Sequence, residues 1–449
     1  MTRPLIVGGL GPSDRTGIPK AADEQMTQLA FGPADGLAFG IGHALDDLRK
    51  LGLHPSEIGA DLLILAAHVH AADTRISRAS EAQDGWTREI RLVVPVSDPA
   101  MWRTTELTVK RALDFLTGDR WQIGFRARPR THQALVVAPD NRLGGIPYDG
   151  ISLFSGGLDS LIGAIDRLSA GHAPLFVSHA GESAVSSSQE ACFEGLKRHF
   201  KRNDLDRLRV WMTFENGLVE DVASESTTRG RSFLFFALAA AAGSGLGRQF
   251  EIQVPENGLI ALNVPLDQLR LGAPSTRTTH PFHIARWNDL LRQLGISGFL
   301  INPYWNKTKG EMASECAEQA LLMKLAASSL SCSSPAKARW LGLPQGHCGH
   351  CLPCLIRRAS LLGRDPTPYI LDDLKSVTLD TRKAEGIQVR SFQLAIERMR
   401  RKPDLATTLV HKPGSLADVS HQTADLADVY RRGLAEVGRL LKGVRAAPG

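Results

Sequence analysis

A chain of 449 residues is long enough for two or three domains, and its 43% hydrophobic and 22% charged residues are ordinary values for a soluble globular protein with a sizeable core. A net charge of +6 and a pI near 9.0 fit phosphate-bearing ligands but do not by themselves indicate nucleic acid. Residues 1–11 show no cleavage-site pattern, and the most apolar stretch, 233–243, falls short of the about 20 residues a bilayer span needs, so a cytoplasmic location with no membrane partner is expected.

The first region, 1–149, reads as an N-terminal α+β module with no assignable chemistry. Ile58, Leu62, Leu65 and Val69 have helical spacing. Ile90, Leu92, Val94 and Val96 then alternate as in a half-buried strand, and Trp121, Ile123 and Phe125 alternate again after the turn at Thr117-Gly118-Asp119. The polar, Pro/Gly-bearing stretch 138–150 is the candidate linker.

The second region, 150–372, has short apolar runs at 151–154, 174–178, 209–214, 251–255 and 299–303, with segments of helix length between several of them. That alternation predicts an α/β unit built on a doubly wound parallel sheet. The third region, 373–449, is basic and reads as a helical extension. Phe392, Leu394, Ile396 and Met399 open it, and Leu426, Val429, Tyr430, Leu434, Val437 and Leu441 form a stripe with 3–4 spacing. The stripe suits packing on its own chain, with a partner interface as the alternative.

The most informative segment is the apolar strand running into Ser155-Gly156-Gly157-Leu158-Asp159-Ser160 and then a helical stretch, 161–168. Two glycines let the backbone turn tightly and approach an anion, and the following helix aims free N–H groups and its positive dipole end at the same point. Ser155 and Ser160 add hydroxyls, and Asp159 can hold Mg²⁺ against phosphate oxygens. Neither the spacing nor the lysine of a Walker A loop is present. His179 ends an apolar strand at the carboxyl edge, where open α/β sheets bind ligands; strand capping is its structural alternative.

Six cysteines in a chain of this length do not make a disulfide framework. Cys332, Cys348, Cys351 and Cys354 read C-x15-C-x2-C-x2-C, the pattern of a closed four-thiolate Zn²⁺ site with a structural role. An iron–sulfur cluster is the alternative. His347 and His350 could replace one thiolate, although neighbouring or surface roles suit them better. Cys192 and Cys316 read as core thiols.

Ser-Gly-Gly-x-Asp-Ser resembles the PP-loop of ATP pyrophosphatases. Together with the cysteine motif 170 or so residues later it resembles 7-cyano-7-deazaguanine synthase over 150–358, about half of the chain. Gly230-Arg231-Ser232 stands where the synthase carries Gly-Arg-Asn, and 306–312, Asn-Lys-Thr-Lys-Gly-Glu-Met, resembles its Lys-x-Glu-Ile segment. The arginine that closes the synthase's cysteine motif is read as displaced, with Leu355-Ile356 preceding Arg357-Arg358. Two departures bear on substrate: 275–281, Ser-Thr-Arg-Thr-Thr-His-Pro, replaces the synthase's Cys-Arg-Pro element, and Ser232 replaces the expected Asn. The synthase lacks both flanking regions; in size the whole chain is more similar to the synthase-like subunits of the Qat anti-phage defence system.

The resemblance implies a PP-loop (HUP-like) nucleotide-binding fold with a zinc-binding insertion. It implies Mg-ATP with its β,γ-phosphates on 155–160 and its adenine near 177–180. A deazapurine carboxylate such as 7-carboxy-7-deazaguanine would attack the α-phosphate, and ammonia or an amine on a partner protein would then displace AMP. Asp159, Lys309, Lys307 and Arg231 are the candidates for handling the phosphate charge, and Arg277 and His280 for orienting the carboxylate. Defence-operon neighbours are expected partners, a homodimer is allowed, and nucleic acid is not expected. A PP-loop tRNA-modifying enzyme is one rival; against it stands the lack of a basic stripe with interleaved aromatics. A non-catalytic nucleotide-binding scaffold is the other, which would have no need of Asp159.

Overall fold

The computed structural model describes every residue except 1, 2, 12, 13, 15, 32–36, 38, 39, 83, 138–144, 182, 220, 221, 226, 267–276, 337, 339–341 and 343–345. Half of the predicted linker and the pair Ser275-Thr276 therefore lie outside the described residues.

The first unit contains strands β1 (Arg3–Gly9) and β2 (Glu24–Ala30), helices α1 (Ile41–Lys50) and α2 (Glu57–Arg75), strand β3 (Glu89–Val96), helix α3 (Glu106–Thr117) and strand β4 (Arg120–Ala127). Its sheet has the order β2-β1-β3-β4 and every pairing is parallel. This corrects the expected α+β module to an α/β unit. Alternation identifies a strand but not the direction of its neighbour, and here each connection runs through a helix or a long loop, which is what parallel pairing requires.

The second unit continues with β5 (Gly150–Leu153), α4 (Leu158–Ser169), β6 (Pro174–His179), α5 (Ser183–Phe200), β7 (Arg207–Val210), α6 (Arg231–Ser244), β8 (Phe250–Gln253), α7 (Pro281–Gln293) and β9 (Gly298–Ile301). All five predicted strands are present, in the order β7-β6-β5-β8-β9, again parallel throughout. The order reverses beside β5, so the carboxyl ends of β5 and β8 flank the crevice that an open α/β sheet offers to ligands.

The two units share one hydrophobic core, which runs from Ile6 and Trp102 through α2 and α6 to Ile151 and Leu300. Helix α2 is buried nearly all round because it lies between the sheets. It runs antiparallel to the alanine-rich α6. At one end the Ser56 amide donates to Ser244 Oγ (3.0 Å), and a Cβ on Gly59 would stand only 2.5 Å from that oxygen. At the other end the Gly230 amide donates to Asp73 (2.6 Å). Asp73 also belongs to a buried ion cluster: Arg88 reaches Asp73 (2.8 Å) and Asp119 (2.6 Å), and Arg78 reaches Asp119 (2.6 Å).

Later helices include α8 (Lys309–Glu315), α9 (Leu352–Ser360), α10 (Ala384–Arg401) and α11 (Thr423–Leu440), with a small parallel pair at Leu379–Asp380 and Ala446–Ala447. The apolar stripe of α11 packs within its own chain, with Leu426, Val429, Tyr430, Leu434 and Val437 in a core shared with Leu355 and Phe392. Leu394 is the exception and is exposed, because it lies off the face of α10 that carries Phe392 and Met399. Among the described residues no helix is long and apolar enough to cross a membrane.

Candidate functional site

Strand β5 is fully buried and delivers the chain to the carboxyl edge of the sheet, where Phe154 anchors the exit against Phe176 and Phe193. Gly156 then adopts φ 80°, a left-handed conformation that side chains disfavour, and a Cβ there would lie 2.9–3.0 Å from Gln189. Glycine is thus needed both for the turn and for the close approach. Gly157 caps α4. The turn is organised by hydroxyls: the Gly157 amide donates to Ser155 Oγ (3.3 Å), Ser155 Oγ meets Ser160 Oγ (3.1 Å), and Ser160 Oγ donates to the Gly157 carbonyl (3.0 Å). The first-turn amides of α4 have no partners within the helix; that of Leu158 donates to the Ser331 hydroxyl (3.2 Å), and those of Asp159 and Ser160 stand at the same turn, an arrangement suited to an anion.

Asp159, in that first turn, is nearly buried. Its Oδ1 lies 2.7 Å from Lys309 Nζ, and its Oδ2 accepts from the Asn257 side chain (2.7 Å) and amide (3.2 Å). Lys309 opens α8, where Thr308 and Glu311 form a reciprocal capping box. Beside them Glu256 follows the end of β8. Burial pushes its carboxyl up to about 7, the Thr279 hydroxyl bonded to it opposes the shift, and the charge of Asp159 adds to it. Two carboxylates, one ammonium and a glycine turn that opens a helix N-terminus therefore meet at one edge.

The other predicted residues are distributed differently. His179 ends β6 and is buried; Gln189 Nε2 donates to its carbonyl (3.2 Å) and to that of Ser155 (3.4 Å). Arg231 is exposed at the start of α6, close enough to His70 and His179 to disfavour their protonated forms. Lys307 turns to the surface, where it pairs with Glu315 (2.5 Å). Arg277 stacks on Phe115 and donates to its carbonyl (2.8 Å), and His280 caps α7 by accepting from the Phe282 amide (3.2 Å) while packing against the same phenyl ring. In that segment Thr279, rather than Arg277 or His280, reaches Glu256.

The four sulfurs of Cys332, Cys348, Cys351 and Cys354 lie within 4.8 Å of one another and could hold a metal ion. The Cys351 amide donates to Cys348 Sγ (3.3 Å) and the Ser334 amide to Cys332 Sγ (3.4 Å), contacts that favour thiolates. His347 and His350 stay outside this group; His347 Nε2 instead accepts from the Ser331 amide (3.0 Å). The spacing expectation for the closing arginine needs correcting. Counted from Cys354, Leu355 and Ile356 are the two spacer residues and Arg357 is in register. Arg357 is fully buried and donates to Ser329 (2.9 Å), Ser331 (3.3 Å) and Thr367 (2.8 Å). Cys192 and Cys316 are core thiols, each pushed up to about 12 by burial.

No protein-family model and no curated protein matches the chain.

Several residues at this edge carry no strong sequence signal. Glu256 and Asn257 had one faint mark, a polar pair directly after a buried strand. Ser331 and Thr279 stood inside segments the sequence marked, beside Cys332 and within 275–281, but with no role of their own, and Gln189 had no signal, because it arrives from a distant segment as an ordinary polar residue.

Proposed function

We propose that this chain is an ATP-dependent nucleotidyl-transfer enzyme of the PP-loop type, related to the 7-cyano-7-deazaguanine synthases, which activates a deazapurine carboxylate and passes it to an amine. The observation that carries the reading is Lys309 Nζ placed 2.7 Å from Asp159 at the mouth of the Ser155–Ser160 glycine turn. A plain strand–turn–helix junction has no use for a nearly buried ammonium and carboxylate at its helix N-terminus.

In this reading the turn amides and the Ser155 and Ser160 hydroxyls hold the β- and γ-phosphates. Lys309 neutralises charge that develops on the α-phosphate as the substrate carboxylate attacks it, and Arg231, at the start of α6 near His179, adds a second positive charge. The carboxylate oxygen forms a bond to the α-phosphorus and pyrophosphate leaves. An amine nitrogen then attacks the acyl carbon, AMP departs and the amine proton is released. The protein's contribution is positioning and charge stabilisation. Asp159 and Glu256, hard oxygen donors sharing a single ammonium, fit a divalent cation such as Mg²⁺, which would offset phosphate charge.

The cysteine cluster suits a single tetrahedral ion. Four thiolates at about 2.3 Å from Zn²⁺ would stand about 3.8 Å apart, and two of the sulfur pairs here lie at 3.9 and 4.0 Å. A multi-iron cluster would interpose its own atoms and spread the sulfurs. With all four positions taken by protein, the ion's role is structural.

The test is incubation of the pure protein with ATP, Mg²⁺ and 7-carboxy-7-deazaguanine, with ammonia or co-encoded proteins as acceptors, reading pyrophosphate and product mass. Release by the wild type and none by Asp159→Ala is the expected result. An absence of pyrophosphate release with every acid and acceptor offered sinks the proposal.

A further inference from the structure

A second cluster occupies the carboxyl edge of the five-stranded sheet, and the phosphate-handling residues leave it unused. The His179 ring, at the end of β6, stands edge-on to that of His70 in α2, with centroids 5.7 Å apart, and His70 meets Phe214 at 5.8 Å. Each histidine is only 6% exposed. Nδ1 of His70 lacks a hydrogen-bond partner among the described residues, and the adjacent Met212 backbone can meet only one of the two ring nitrogens of His179. Leaving such groups unsatisfied costs about 1–3 kcal/mol each, so two at one spot point to something that binds there.

The chemistry of the missing partner can be read from the cluster. Burial lowers His70 to about 4 and His179 to about 3, with Arg231 acting in the same direction, so both rings are neutral at pH 7. A neutral imidazole offers one N–H and one lone pair. Two of them beside a phenyl ring match a flat heterocycle that carries donors and acceptors on its edge, and do not match a phosphate, which would call for cations. The position fits as well. Through Gln189, His179 is one side chain away from Ser155 of the glycine turn.

We propose that His70, His179 and Phe214 form a pocket for a purine-type heterocycle, so that the first unit completes the site of the second. This deepens the function proposed above and rests on it for the two candidate occupants, the adenine of ATP and the deazapurine. It also gives residues 1–149 a role. His70 and Asp73 lie on one face of α2, and Asp73, held by Arg88, fixes the Gly230 amide and with it the start of the helix that carries Arg231. The first unit thus supplies one wall of the pocket and positions another.

The test uses the full chain and calorimetric titration with adenosine, 7-deazaguanine and tripolyphosphate, comparing wild type with His70→Ala and His179→Ala. Both variants should weaken one heterocycle about tenfold, the effect of losing a hydrogen bond in a dry site, and leave tripolyphosphate unchanged. Loss of adenosine assigns the pocket to ATP, and loss of 7-deazaguanine assigns it to the acyl substrate. Nitrogen-15 spectra of the wild-type histidines provide a readout that survives any folding failure of the variants, since the His70 and His179 ring signals should move on adding the heterocycle. Unmoved signals, or variants that bind as the wild type does, overturn the pocket. Neither probe carries a carboxylate to be activated. Intact heterocycle binding without pyrophosphate release would therefore sink the proposed reaction alone, and normal release with unaffected variants would sink the pocket alone.

Discussion

Leu158, the first residue of α4, donates its backbone N–H to the Ser331 hydroxyl at 3.2 Å, and this bond ties the glycine turn to the cysteine cluster. The Leu330 amide adds a second tie, to the Gly156 carbonyl (2.8 Å). Ser331 is in turn held from the cysteine cluster: Cys332 follows it, His347 precedes Cys348, and Arg357 lies one turn beyond Cys354.

In protein loaded with Zn²⁺, stripping the ion with a chelator should therefore loosen the turn itself. Amide exchange at residues 156–160 should accelerate, and ATP affinity should fall by about tenfold or more, since two buried hydrogen bonds are worth about 1 kcal/mol each. Ser331→Ala with metal retained should give about half that free-energy loss. Exchange at the turn that is indifferent to metal would show that the two sites are only neighbours.

The Asp159–Lys309 pair is nearly dry, so removing one partner strands a charge. Lys309→Met should cost about 3 kcal/mol of stability, and the double variant Asp159→Asn/Lys309→Met should recover most of it. Urea unfolding of the four proteins gives the coupling energy. A coupling near zero would mean that solvent screens the pair. Both single variants should also abolish pyrophosphate release, whatever their stability.

Acid should destabilise the protein well before its exposed carboxylates titrate, with buried Glu256, raised to about 7, working in the opposite direction over this range. Burial lowers His68 and His283 to about 4 and His280 to about 3. His283 uses both nitrogens in its neutral form: Nδ1 bonds the Thr278 carbonyl (2.8 Å) and Nε2 accepts from Trp287 Nε1 (3.2 Å). A depressed folded-state pKa means that the unfolded chain takes up the proton first. The contribution of these groups is complete above 6.5 and is lost as pH falls from 6.5 towards 4. Each can add a slope of up to about 1.4 kcal/mol per pH unit. Unfolding free energies measured at pH 7, 6 and 5 should decline steadily, and less steeply in His283→Gln. A flat profile between 7 and 5 would count against buried neutral histidines.

The C-terminal helix should matter to the site without touching ligand. Buried Glu436 of α11 accepts from Thr308 Oγ1 and from the Gly310 amide (3.2 Å), bracketing Lys309, while Arg432 pairs with Glu311. Glu436→Ala should reduce the turnover of ATP several-fold with little effect on substrate KM, whereas Leu434→Ala, on the apolar face, should cost about 2–5 kcal/mol of stability and leave turnover in the folded fraction unchanged. Equal effects from both would show that α11 is packing alone.

The five strands of the second unit, the glycine turn, the cysteine set and the α11 stripe were legible in the chain because each is a local pattern. A buried parallel strand is a short apolar run, a phosphate turn needs glycine at fixed offsets, and thiolates bind an ion through closely spaced pairs. Local patterns carry no direction or distance. The parallel sheet of the first unit, the burial of α2 on all sides, the surface pairing of Lys307 with Glu315, and the attachment of Arg277 and His280 to Phe115 were settled only by packing between distant segments. The same holds for the meeting of His70 with His179 and of Ser331 with Leu158. The sequence by itself determined which chemistry the chain can carry. Tertiary structure decided which of those groups share a site, because the free energy that brings residues more than a hundred positions apart into contact lies in the common core they bury, and no single segment encodes that core.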